Sequence, residues 1–109
     1  MKETTILDQA KMVELQAEKA WTSGDEELGM LLDKQLSLLE SINELRLNAA
    51  KTKIENGNFS QNIMDSAEDN AGSTMKENYN PGINFFYSCE YWEFVYNTAE
   101  LLVSCSDYQ

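Results

Sequence analysis

The sequence has no histidine, one proline, two cysteines and only eight lysine and arginine residues among its 109. Each shortage removes a class of chemistry. Without histidine the commonest general base, proton shuttle and metal ligand are missing. Neither Cys89 nor Cys105 then has a Cys-His partner, and a serine nucleophile would need a substitute base. No phosphate-cradling glycine loop, Cys-x-x-Cys pair or zinc-ligand spacing occurs. Carboxylate pairs such as Glu68-Asp69 and Glu90/Glu93 arise by chance in so acidic a chain. Residues 65–70 look like a calcium loop, but the oxygen ligands and central glycine are out of register. These absences predict a protein without catalysis, cofactor or metal.

Long apolar runs are missing as well. The N-terminal stretch has no apolar signal core, and nowhere do eighteen apolar residues run together, which predicts a cytoplasmic protein with no membrane partner. Without a secretory signal, the glycosylation-like triplet Asn58-Phe59-Ser60 reads as chance. Two cysteines cannot make a disulfide framework, and on one continuous helix Cys89 and Cys105 would stand roughly 24 Å apart.

What is present is acid and helical periodicity. Nineteen acidic residues against eight basic ones give a net charge of −11, which repels nucleic acid and anionic lipid and complements a basic surface. Plain solubility explains the charge equally well. From residue 25 to 56, Leu28, Leu31, Gln35, Leu38, Ile42, Leu45, Ala49 and Thr52 step by alternating threes and fours. That heptad seam, widened by Leu32, Leu36 and Leu39, predicts a long central helix whose stripe must be covered by partner elements. Gln35 reads as a register-setting polar residue, and Gly29 as a close crossing or a late helix start.

Residues 4–22 predict a shorter first helix, begun at Thr4 or Thr5 and striped by Ile6, Ala10, Val13, Ala17 and Ala20. Thr22-Ser23-Gly24 ends it, and Ser23 with Glu26 reads as a capping box, so the two helices form an antiparallel hairpin. Asn56-Gly57-Asn58 supplies the next stop, with Gly57 suited to the left-handed position. Residues 59–80, rich in Ser, Asn and small side chains, read as a polar crossover holding a short helix after Ser60 that Ala71-Gly72-Ser73 interrupts. Asn80-Pro81 then predicts a helix over 81–105, with a strand reading of 83–96 left open by its aromatics. Eight of the eleven aromatic residues lie between Tyr79 and Tyr96, and this helix is expected along the uncovered half of the central one.

The fold class is therefore all-α, a single domain over 1–109: an antiparallel hairpin completed by an aromatic C-terminal helix in a three- to four-helix bundle. Two functions fit. The first is a non-catalytic acidic inhibitor that neutralises a basic protein, such as an immunity protein for a nuclease toxin or an antagonist of a nucleic-acid enzyme. Its contacts would be Asp65, Glu68, Asp69, Glu90, Tyr91, Trp92, Glu93 and Tyr96, carboxylates selecting the basic partner and aromatics anchoring it. The second is a helical adaptor, secretion chaperone or secreted assembly subunit working through the exposed half of the central helix. A homodimer closing that half is compatible with either.

Overall fold

The computed structural model describes residues 4–106. The chain forms α1 (Ile6–Ser23), α2 (Glu26–Gly57), α3 (Gln61–Asn78), a 3-10 turn (Phe85–Tyr87) and α4 (Cys89–Ser106). It is all-helical, with no strand among the described residues, which removes the strand reading of 83–96.

Local chemistry sets the hairpin. Thr5 caps α1, its hydroxyl accepting the Asp8 N–H at 3.1 Å. Gly24 then takes a left-handed conformation at φ 84°, open at low cost only to a residue without Cβ. The cap of α2 is Asp25, which accepts the Leu28 N–H at 3.2 Å, and not the expected Ser23. Ser23 still belongs to the last turn of α1, and its hydroxyl donates to the Ala20 carbonyl. Two linking residues make α1 and α2 antiparallel.

Gly29 is the close crossing. A Cβ there would lie 2.6 Å from the Trp21 ring, and that indole donates to Asp33 at 3.1 Å. At the far end of α2 it is Asn58, not Gly57, that turns left-handed, at φ 52°. Gly57 serves a packing need instead, because the Phe59 ring would sit 2.5 Å from its Cβ.

At 1.5 Å per residue α2 is roughly 48 Å long and α1 roughly 27 Å, so α1 covers only the first half. The remainder is covered by α4, as expected, and α4 lies between α2 on one side and α3 on the other. The molecule measures 64 × 26 × 19 Å. It holds two cores. The smaller joins Val13, Ala17, Ala20 and Leu32, with Leu36 and Leu39 against them. The larger joins Ala67, Ala71 and Met75 of α3 and Tyr79 to Tyr91, Val95 and Ala99 of α4.

Three expectations give way here. First, the polar crossover is a full helix of eighteen residues, uninterrupted at Ala71-Gly72-Ser73. Its small residues are a contact face: Ala67, Ala71 and Met75 recur every four positions and admit α4 closely, so tertiary packing overrides weak propensity. Second, Asn80-Pro81 starts no helix. Asn80 instead spends its amide on Asp8, at 2.8 Å, and α4 begins only at Cys89, where Ser88 accepts the Glu90 N–H. Third, the heptad seam of α2 is not the buried face. Leu32, Leu36, Leu39, Asn43, Ala50 and Ile54 turn inward, whereas all eight seam positions are exposed.

Two glycines within helices should respond oppositely to alanine. Gly72 has open space around its Cβ position, so Gly72→Ala should raise stability by about 0.5–1 kcal/mol. Gly29→Ala should forfeit that gain, because the new methyl displaces the Trp21 indole. Urea denaturation of both variants measures the contrast.

Candidate functional site

The acidic and aromatic side chains of α4 form no single face. Glu90 points to the joint between the hairpin and the larger core. Its carboxylate accepts the Ile6 N–H at 3.1 Å, the Ser88 hydroxyl at 2.5 Å and the Cys89 thiol at 3.2 Å. Ser88 spends its one proton on Glu90, so the buried Tyr79 hydroxyl donates to Ser88. Across the same joint, the Asn43 amide of α2 donates to the Tyr87 carbonyl, and its oxygen accepts the Cys89 N–H. Burial would raise the Glu90 pKa, but the bonds from Ser88, Ile6 and Cys89 outweigh it and hold the carboxyl below its ordinary value. Burial pushes the Tyr79 hydroxyl up to about 12, and burial together with the bond to Glu90 pushes the Cys89 thiol up to about 12.

Glu93 faces α2, where the Arg46 guanidinium holds it in a forked pair at 2.6 and 3.0 Å. Both side chains are half-exposed, so the pair contributes about 1 kcal/mol at most. Trp92 donates to the Phe86 carbonyl at 2.9 Å and lies under the Lys51 ammonium, 4.9 Å from its ring. Tyr96 lies 5.8 Å from Lys53 and edge-on to Phe59. Three cations of α2 therefore already engage α4, in the role expected of an external basic partner. Tyr91 is buried, 3% exposed, and stacks on Phe85.

What remains free is on α3. Asp65 and Asp69 are exposed and Glu68 is half-exposed; Asp65 accepts the Gln61 side-chain amide at 2.8 Å. Glu68 and Asp69 border an open depression of about 580 Å³ with Lys76, Phe86, Tyr91 and Trp92. Burial, then these two carboxylates, raise the Tyr91 hydroxyl pKa. Of the eight residues expected to share one surface, Glu68, Asp69, Tyr91 and Trp92 do come together. Asp65 lies one turn away on α3, while Glu90, Glu93 and Tyr96 turn to other neighbours.

A second open surface, this one apolar, is the α2 seam. Leu31, Leu38 and Leu45 are 62, 65 and 71% exposed, with Leu28 and Ile42 beside them. From Leu28 to Leu45 this strip runs roughly 25 Å along the helix. Folded monomers rarely leave contiguous apolar strips of that kind bare unless they meet another molecule. No metal-holding cluster of His, Cys, Asp or Glu occurs among the described residues, and no helix is long and apolar enough to cross a membrane.

Two outcomes follow from the joint. The folded-state pKa of Glu90 lies below its unfolded value, near 4.3, so its contribution is complete above that range and disappears as pH falls through the folded pKa. Glu90→Gln should therefore cost about 1 kcal/mol at pH 7, and the difference from wild type should shrink as pH falls below the ordinary carboxylate range; urea melts at pH 7 and through the acid range measure it. Only the exposed thiol, Cys105, should react with a thiol reagent in the native protein, and both after unfolding.

Comparison of the chain with protein-family models, curated proteins and solved structures finds no match in any of the three.

Proposed function

We propose that this protein is a non-catalytic helical binding module, an adaptor or assembly subunit, whose working surface is the seam of α2. The observation that carries this reading is the uniform exposure of a heptad-spaced apolar row on a helix whose adjoining face is already packed. A helix that needed only α1 and α4 would require one stripe, and α2 has two. Free thiols at Cys89 and Cys105 suit a reducing, cytosolic setting.

A second reading, the acidic inhibitor of a basic protein, draws its support from α3. Among the described residues Asp65, Glu68 and Asp69 take part in no ion pair, and the last two lie beside Phe86 and Trp92. Under this reading carboxylates stand in for phosphates on the partner's basic surface, and steering raises the association rate. Glu90 and Glu93 would then be structural.

Substitution separates the two. Once a partner is identified from the native host, its affinity should fall at least 100-fold for Leu31→Glu/Leu38→Glu, about 2.7 kcal/mol. It should change less than threefold for Asp65→Asn/Glu68→Gln/Asp69→Asn. The reverse pattern by titration calorimetry replaces the module with the inhibitor.

A further inference from the structure

We infer that the occupant of the α2 seam is the same seam of a second copy, with the two long helices parallel and in register. The inference rests on the seam being the working surface and adds what covers it. Four observations converge.

The first is spacing. A strict alternation of three and four averages 3.5 residues per turn, short of the 3.6 of a straight helix, so the row stays in line only when two helices supercoil around each other. The occupant is therefore a helix, not a loop or an extended strand.

The second is composition. In heptad terms Leu31, Leu38 and Leu45 occupy d, while Leu28, Gln35 and Ile42 occupy a. Leucine at d with a β-branched residue and a single polar residue at a is the combination that favours two parallel strands. Gln35 decides direction. In a parallel, in-register pair it meets its own copy across the axis, and each amide donates to the other's carbonyl. In an antiparallel pair centred on the seam it faces Leu45, which strands a polar amide in an apolar layer.

Charge is the third. Two chains of net charge −11 repel, and α2 itself is net negative, with Glu26, Glu27, Asp33, Glu40, Glu44 and Glu55 against Lys34, Arg46, Lys51 and Lys53, so what matters is which charges flank the seam. The parallel register places Lys34 beside Leu39, Ser41 beside Arg46 and Asn48 beside Lys53, so no like charges meet along the seam. Residual repulsion is long-range and is screened by salt.

The fourth is area. The seam from Leu28 to Thr52 is roughly 36 Å long, and a helix with its side chains is about 10–12 Å across, so a facing helix covers on the order of 800 Å² over the two chains together. That area lies among small, transient interfaces, so the pair should associate weakly. Nothing in the fold has to move, because every seam position is already open.

Sedimentation equilibrium of the full chain from about 1 to 100 μM tests the inference. The expected species has twice the 12.4 kDa chain mass and becomes more prevalent as salt is raised. Leu38→Glu should be monomeric with unchanged helical circular dichroism, since Leu38 is exposed in the single chain. If that variant loses helix, Leu45→Lys, at a still more exposed site, replaces it. Oxidation of Gln35→Cys in a Cys105→Ser background should give a disulfide-linked dimer. A monomer at every concentration and salt overturns the inference; the binding-module reading survives that result if an identified partner still loses affinity with Leu31→Glu/Leu38→Glu. A dimer that persists in both single seam variants overturns it too, by placing the contact elsewhere. A seam-dependent dimer that fails to cross-link at position 35 overturns the parallel register.

Discussion

The architecture depends on one electrostatic problem and its solution at Glu90. Because α1 is little more than half as long as α2, a second element has to begin where α1 begins, and α4 does so. Two helix N-termini are thereby brought together, each with unbonded N–H groups and a partial positive charge of roughly half a unit. Left bare, these ends would repel and their N–H groups would go unsatisfied. Glu90, in the first turn of α4, reaches the first N–H of α1, so one carboxylate serves both ends. Asp8 and Asn80 make a second bond across the gap, and Asn43 anchors the whole to α2. No buried side-chain nitrogen or oxygen is left without a partner among the described residues.

The same economy governs the surface of α4. Its position between α2 and α3 explains why aromatic residues occur nearly all around it: two faces are packed rather than one. Its acids and rings meet cations from within the chain, Arg46 for Glu93, Lys51 for Trp92 and Lys53 for Tyr96. The negative balance that stays open to solvent is carried in part by α3, and the apolar surface that stays open is concentrated on α2.

Much of the fold was legible in the sequence where signals are local. Thr5 as a cap, Gly24 as a stop, the Ile6-Val13-Ala17-Ala20 stripe and the length of α2 all follow from chemistry within a turn or two. The errors share a different cause. Apolar residues on α2 form two neighbouring rows, and periodicity cannot say which one the fold buries; the longer of the two is the one left open. In α3, alanine and glycine spaced for close approach resemble loop composition until a bulky neighbour is placed against them. Sequence proximity groups the acids of α4, but Glu90 and Glu93 project to opposite tasks. The signal that was available for Glu93 was Arg46, one of only eight basic residues, set midway along the helix expected to meet it.

The division into two cores joined by one uninterrupted helix has a consequence for how the molecule opens. The smaller core has only alanines, one valine and a few leucines between two helices, whereas the larger one is built on α3, α4 and a ring cluster, with Ile54 of α2 and Leu7 of α1 packed against it. Sub-global unfolding should be hierarchical: α1 detaches first, at a free-energy cost below that of global unfolding, while α3, α4 and the second half of α2 stay intact. Amide hydrogens of α2 would then report a gradient within a single continuous helix, exchanging quickly near Leu32 and slowly near Ala50. Detachment also breaks the bond between Ile6 and Glu90, so a carboxylate that joins two helix ends when closed becomes the local cap of α4 when open.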